Sequence, residues 1–105
     1  MDKVKWQKMT LAEQLGNAGS DFDRALRWKQ KGQIQLFNQA ADRTLEQLDL
    51  TLTDERWQSH RRQEIARLRE ETCRSLFTDE NNDPAGLQKY FLSMATLARK
   101  SKLLE

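Results

Sequence analysis

Apolar residues recur every three or four positions in four stretches of the chain, which is the spacing of one face of an α-helix. Thr10 and Glu13 precede the first stretch in the arrangement of a capping box, which opens a helix. Gly32, which follows Lys29 and Lys31, is typical of a helix end. We therefore predict a first long helix between Thr10 and Gly32. Its apolar face comprises Leu11, Leu15, Ala18, Phe22 and Leu26.

Two glycines, Gly16 and Gly19, interrupt this first helix. Each costs about 1 kcal/mol relative to alanine in a helix interior. Either the helix is broken and restarts at Ser20, with Asp23 completing a second cap, or the glycines allow another helix to cross closely. The sequence leaves both alternatives open.

The second helix has apolar residues on two faces. Leu36 and Leu50 lie on the side opposite its main face, with Arg43 midway between them. A two-faced helix is usually central in a bundle or shared with a partner. Residues 32–54 are also acidic, with one basic and four acidic residues, whereas the flanking segments are basic, so we predict a central, antiparallel position. The main face comprises Ile34, Phe37, Ala41, Leu45, Leu48 and Leu52.

Two further helices complete the prediction. The third runs from about Arg56 or Ser59 to Phe77, and a polar loop over residues 78–83 leads to the fourth, with Asp83 as cap and Pro84 as first helical residue. The inner face of the third comprises Trp57, Ile65, Leu68, Thr72 and Leu76. The fourth carries Leu87, Tyr90, Phe91, Met94, Leu97 and Ala98. The fold class is therefore all-α, a single four-helix antiparallel bundle over residues 1–105.

The two ends of this domain lie beside its four helices in sequence. We expect residues 1–8 to form a frayed or loosely docked N-terminus and residues 104–105, Leu104 and Glu105, to be the scar of a purification tag.

Composition narrows the class of protein. The chain of 105 residues and 12.4 kDa has a formal net charge of only +2, which does not demand a polyanionic partner. Its one cysteine, Cys73, excludes an internal disulfide and a cysteine-based metal site. No apolar run approaches the roughly 20 residues of a membrane span. We expect a cytoplasmic protein without a cofactor, a metal or a membrane partner.

The third helix contains the candidate nucleic-acid contacts. Arginine can bind phosphate bidentately, and a basic helix can neutralise a phosphate backbone. Glutamates at positions 64, 70 and 71 stand among the arginines, however, at spacings that allow pairs such as Arg67 with Glu71. A solvated, salt-bridged face is therefore favoured over a phosphate groove. The arginines in question are Arg61, Arg62, Arg67 and Arg69.

Partner-binding residues are expected on the helical hairpin. Trp28 either covers a neighbouring helix end or contributes to a partner surface with Leu36, Arg43 and Leu50, since tryptophan is enriched at interface hot spots. His60, the only histidine, can act as a general base near neutral pH, but its partner one helical turn away is Glu64 rather than a serine or a cysteine.

The hairpin between Asp21 and Leu48 resembles the opening helices of the HEPN superfamily. The resemblance rests on the Lys31–Gly32 turn, Phe37 and the stretch from Gln39 to Leu45. It implies a small helical bundle, commonly dimeric and often encoded beside a minimal nucleotidyltransferase as a toxin–antitoxin pair. The same hairpin is similar to tetratricopeptide hairpins.

One departure from the HEPN pattern concerns activity. Ribonuclease members carry an arginine followed, after four to six residues, by a histidine on a late helix. Here only three residues separate Arg56 from His60. The resemblance therefore implies a non-catalytic binding protein, a homodimer or a companion subunit of a nucleotidyltransferase-type protein. The alternatives are a metal-independent ribonuclease using Arg56 and His60, a tetratricopeptide-like adaptor, and an RNA-binding helical protein.

Overall fold

A computed structural model of the protein describes residues 2–78 and 84–103, and these form five helices. They are α1 (Lys3–Gln7), α2 (Leu11–Gln30), α3 (Ile34–Leu52), α4 (His60–Phe77) and α5 (Ala85–Leu103). The described ranges contain no strand, which confirms the all-α prediction. None of these helices combines the length and the apolar character needed to cross a membrane. The predicted cap Asp83, most of the loop 78–83 and residues 104–105 lie outside the described residues.

The two ends of α2 follow from its sequence. The Thr10 hydroxyl accepts a hydrogen bond from the Glu13 amide, and the Glu13 carboxylate accepts one from the Thr10 amide, both at 3.1 Å. At the other end Gly32 has φ +70°, and the amide of Gln33 donates to the carbonyl of Trp28 at 3.0 Å. This is the Schellman arrangement that glycine allows. Both predicted ends of the first long helix are confirmed.

The glycines of α2 serve a close helix crossing. The helix is continuous through both of them. A Cβ on Gly16 would lie 3.0 Å from the Cα of Ala95, and one on Gly19 would lie 2.3 Å from the Cβ of Phe91. Of the two alternatives left open by the sequence, the broken helix is therefore wrong and the close crossing is confirmed.

Two helices share the centre of the fold. The helix α2 contacts α3, α4 and α5, and α3 contacts α2, α4 and α1. The second long helix therefore has neighbours on more than one side, as predicted, but α2 shares the central position. The start of α3 is exposed, with Ile34 at 70% and Leu36 at 39% of their full accessibility. The small side chains of α2 let neighbouring helices approach it closely. The main core is formed by Leu15, Ala18, Phe22, Ala25, Ala40, Ala41, Leu48, Leu68, Leu76 and Phe91.

The N-terminal segment is docked rather than frayed. Residues 3–7 form α1, and Asp2 caps it by accepting a hydrogen bond from the Val4 amide at 3.0 Å. Trp6 is buried, and its indole Nε1 donates to the Thr51 hydroxyl on α3 at 3.1 Å. Of the two alternatives for the N-terminus, these residues show the docked one, because one buried tryptophan fixes a helix too short to be stable alone.

Candidate partner-binding site on the α2–α3 hairpin

A buried carboxylate lies between α2 and α3. Asp21 is only 4% exposed. It accepts a hydrogen bond from Gln47 Nε2 at 2.8 Å and one from an Arg24 guanidinium nitrogen at 3.1 Å, and Arg43 Nε lies 3.7 Å away. Burying an unpaired carboxylate is costly, so these two hydrogen bonds and the nearby Arg43 charge are what allows Asp21 to occupy a core position.

The two arginines are anchored by Asp21 but remain accessible. The side chains of Arg24 and Arg43 are 56% and 61% exposed, whereas that of Asp21 is 5% exposed. One guanidinium comes from each helix, and both approach the same carboxylate. The result is a pair of positioned arginines that present their remaining N–H groups to solvent.

Trp28 lies one turn along α2 from Arg24 and is half-buried against the core. The ammonium of Lys31 lies 5.4 Å from the centre of its ring, within the range of a cation–π interaction. Arg24, Arg27, Trp28 and Lys31 together line a shallow groove of about 170 Å³. Within the described ranges, Arg27 has no carboxylate within 4 Å. The groove is therefore strongly positive.

We refer to this surface as the hairpin face. It consists of Asp21, Arg24, Arg27, Trp28, Lys31, Arg43 and Gln47. It contains four cations and one buried carboxylate. The side-chain oxygen of Gln47 is buried and has no hydrogen-bond partner among the described residues, so the polar network around Asp21 has one unused acceptor.

The structure brings part of the predicted partner surface together. Trp28 and Arg43 both belong to the hairpin face. Leu36 and Leu50 lie seven residues before and after Arg43 and therefore on the same side of α3. Leu36 is exposed and Leu50 half-buried. The four predicted residues thus follow one surface of the hairpin rather than a compact cluster.

Sequence reasoning missed Asp21, the residue that organises this site. Its position was informative, because it falls three residues after Ala18 and four before Ala25, on the buried side of α2. A carboxylate at a core position of a helix requires donors from a neighbouring element. That requirement points to Arg43 and Gln47 on the next helix.

The predicted nucleic-acid arginines face different sides of α4. Arg69 forms a two-pronged ion pair with Asp49 on α3, and this hydrogen bonding raises the pKa of Arg69. Arg61 and Arg62 are exposed in the first turn of α4, whereas Arg67 lines a groove between α4 and α5. The structure does not bring these arginines into one basic patch.

The structure also shows the surroundings of Arg56 and His60, the two residues of the ribonuclease alternative. The guanidinium of Arg56 donates two hydrogen bonds to Asp54, at 3.1 and 2.7 Å, and one to the Met9 carbonyl at 2.7 Å. Hydrogen bonding from Arg56 lowers the pKa of the nearly buried Asp54 to about 2. Arg56 therefore ties the α3–α4 connection to the N-terminal segment, while His60 is the exposed first residue of α4.

Comparison with known proteins adds no further assignment. Protein-family models, curated proteins and solved structures were all searched, and none of them matches this chain. Among the described residues, no group of three or more His, Cys, Asp or Glu is placed to hold a metal ion.

Proposed function

We propose that the protein is a non-catalytic protein–protein interaction module that binds its partner through the hairpin face. In this proposal it is an HEPN-like companion of a nucleotidyltransferase-type protein in a toxin–antitoxin-type pair. Its four long helices act as an antiparallel four-helix bundle that holds the binding surface rigid.

The observation that carries the proposal is the pair of arginines held by Asp21. Tryptophan and arginine are the residues most enriched at the energetic centres of interfaces, and Arg24, Arg43 and Trp28 occupy one surface here. A side chain that is already positioned loses less conformational entropy on binding. Because the face carries four cations around one buried carboxylate, it complements an acidic surface on the partner.

The placement of Arg56 supports a binding role over ribonuclease activity. An arginine that stabilises a transition state needs N–H groups directed at the substrate. In this protein the Arg56 guanidinium donates to the Asp54 carboxylate and the Met9 carbonyl. The alternative function, RNA cleavage by Arg56 and His60, would require this ion pair to open.

Co-expression with a nucleotidyltransferase-type protein of the same genome tests the proposal. We expect a complex that persists through size-exclusion chromatography and weakens as salt is added. The variant Arg24→Glu/Arg43→Glu should abolish the complex, because it places two carboxylates beside Asp21 and against an acidic partner. The matched control is Arg61→Glu/Arg62→Glu, which reverses two exposed charges on α4 and should leave the complex intact.

Titration with labelled oligouridine separates the RNA alternatives. Salt-dependent binding that is lost in Arg24→Glu/Arg43→Glu, without a protein complex, would assign the same face to RNA and overturn the proposed partner class. RNA cleavage that disappears in His60→Ala would overturn the non-catalytic assignment. If Arg24→Glu/Arg43→Glu leaves the protein complex unchanged, the partner binds another surface and the hairpin face is not the binding site.

A further inference from the structure

A second surface, separate from the hairpin face, lies between α4 and α5. The two helices leave an open groove of about 460 Å³ between them. Its apolar part is formed by Leu68, Leu87 and Tyr90, of which Tyr90 is exposed. Gly86 also lines the groove, and a Cβ at this position would meet nothing within 4 Å. The groove is therefore accessible along the first two turns of α5.

Charged side chains form a regular stripe along the α4 wall of this groove. Glu64, Arg67, Glu71 and Arg74 follow one another at intervals of three, four and three residues, so they share one side of the helix. Acidic and basic residues alternate. Within the described ranges, Glu64, Arg67 and Glu71 make no ion pair inside the chain. We call these four residues the α4 charge stripe.

The α4 charge stripe is fully complementary to itself in an antiparallel arrangement. When a second α4 is laid antiparallel about a two-fold axis through position 69, Glu64 faces Arg74 of the second copy and Arg67 faces its Glu71. The two-fold axis repeats both pairs, so every charge of the stripe faces an opposite one. A parallel arrangement in register would place each charge against its like. Such a pattern specifies both the partner and the direction of packing.

We propose that the α4–α5 groove is the interface of a homodimer in which the α4 helices of two copies pack antiparallel. The interface is isologous, so both copies use the same residues. Leu68, Leu87 and Tyr90 supply its apolar centre, and the α4 charge stripe supplies its polar rim. The proposal does not rest on the proposed function, because the groove and the hairpin face share no residue.

The position of the groove leaves the hairpin face accessible in the dimer. Gly16 and Gly19 direct one side of α2 towards α5, whereas Arg24 and Trp28 lie on the other side of that helix. A dimer built on the groove therefore carries two hairpin faces. It can bind two partner chains, one on each copy.

Sedimentation equilibrium over a range of protein concentrations tests the homodimer. We expect a species of twice the 12.4 kDa chain mass whose dissociation constant rises with salt, since screening weakens exposed ion pairs. Arg67→Glu should raise the dissociation constant at least about tenfold, because two attractive pairs become two repulsive ones. Arg67→Glu/Glu71→Arg restores the complementary order and should return the dissociation constant to within about threefold of the wild-type value.

Two further variants make the test specific to the groove. Arg62→Glu reverses an exposed charge on the opposite side of α4 and should leave dimerisation unchanged. Gly86→Gln adds a side chain to the open groove at a position whose Cβ would meet nothing within 4 Å, so it should weaken the dimer while the circular dichroism spectrum stays the same.

Three outcomes would overturn the homodimer. The first is a monomer at every concentration. The second is a dimer whose dissociation constant is unchanged by Arg67→Glu. The third is a double variant, Arg67→Glu/Glu71→Arg, that does not restore association. Dimerisation and the proposed partner binding can be tested independently. Arg24→Glu/Arg43→Glu should leave the dimer intact, and Arg67→Glu should leave partner binding through the hairpin face intact.

Discussion

Gly19 lies so close to Phe91 that the crossing of α2 and α5 has no room for any other residue at this position. A Cβ on Gly19 would stand 2.3 Å from the Cβ of Phe91 and 2.8 Å from the first atom of its ring. Phe91 is itself buried and packs its ring against Phe22, with centroids 5.6 Å apart. The nearest atom is the Phe91 Cβ, which is bonded to the α5 backbone, so rotation of the Phe91 side chain cannot relieve the clash.

Gly19→Ala is therefore expected to destabilise the protein, although alanine favours a helix. Overpacking typically costs about 1–3 kcal/mol, which outweighs the propensity gain of at most about 1 kcal/mol. Urea unfolding followed by circular dichroism measures the difference. Gly86→Ala is the matched control, because nothing lies within 4 Å of its added Cβ, and it should be neutral or stabilising. Equal stability of the Gly19→Ala variant and the wild type would contradict the close crossing.

Gln14 connects three segments through a buried amide. Its Nε2 donates to the Trp6 carbonyl at 2.8 Å and to Asp54 at 3.1 Å, and its Oε1 accepts from the Trp57 indole at 3.0 Å. Gln14→Met keeps the approximate shape but removes all three hydrogen bonds. The Trp6 carbonyl still accepts from the Met9 amide and Asp54 still accepts from Arg56, whereas the Trp57 indole loses its acceptor. We expect a loss of about 1–3 kcal/mol, the cost of one unsatisfied buried group.

The fluorescence of the tryptophans reports on this substitution. The Trp57 indole donates to Gln14, so its emission should shift to shorter wavelength in the folded Gln14→Met protein, because an apolar side chain replaces the hydrogen-bond acceptor. Asn17→Ala serves as control, because Asn17 is exposed and, among the described residues, its side chain bonds the Glu13 carbonyl of its own helix alone. A Gln14→Met protein as stable as the Asn17→Ala control would show that this network contributes nothing.

Asp54 gives the protein a defined sensitivity to acid. Hydrogen bonding from Arg56 lowers the pKa of Asp54 from its ordinary 3.8 to about 2. A lowered pKa in the folded state means that the ionised form stabilises the fold. Its contribution is complete above pH 3.8 and is lost as the pH falls through about 2. Since Arg56 is partly exposed, the amount is no more than about 2 kcal/mol.

Urea unfolding at a series of acidic pH values checks this dependence. In Asp54→Asn the fall in stability between pH 3.8 and about 2 should be shallower than in the wild type. The same variant should be less stable near neutral pH, because Arg56 loses its carboxylate partner. Asp42→Asn removes an exposed carboxylate that has no ion pair within the described ranges, and it should follow the wild-type curve. Parallel curves for Asp54→Asn and the wild type would refute the assignment.

Local signals in the sequence predicted most of the helical structure. The capping box at Thr10, the glycine stop at Gly32 and the periodic apolar residues of α4 each act within a few neighbours, so they can be identified without the fold. The central position of α2 could not be identified in this way. It depends on what packs against Gly16 and Gly19, and those partners lie more than seventy residues away on α5.

The candidate site was predicted only in part, because some of its residues carry a local signal and others do not. Trp28 and Arg43 stand out by residue type, since interface hot spots favour tryptophan and arginine. Their organiser, Asp21, acts through a pairing between two helices and carries no local signature. Arg69 shows the converse, because it looks like a phosphate contact in sequence and forms an ion pair with Asp49 in the structure.

Asp21→Asn tests whether the carboxylate positions the hairpin arginines. Asparagine keeps the size of the side chain and can still accept from Gln47, but it removes the charge that holds Arg24 and Arg43 together. The two guanidinium groups then repel each other across the hairpin. We expect a loss of about 1–3 kcal/mol in urea unfolding, the range for hydrogen bonds to charged groups. Asp23→Asn, two residues along α2, removes an exposed carboxylate bonded to Gln88 at 3.2 Å and should cost no more than about 0.5 kcal/mol. If both variants unfold at the same urea concentration, Asp21 does not organise the hairpin face, and the arginines owe their positions to helix packing alone.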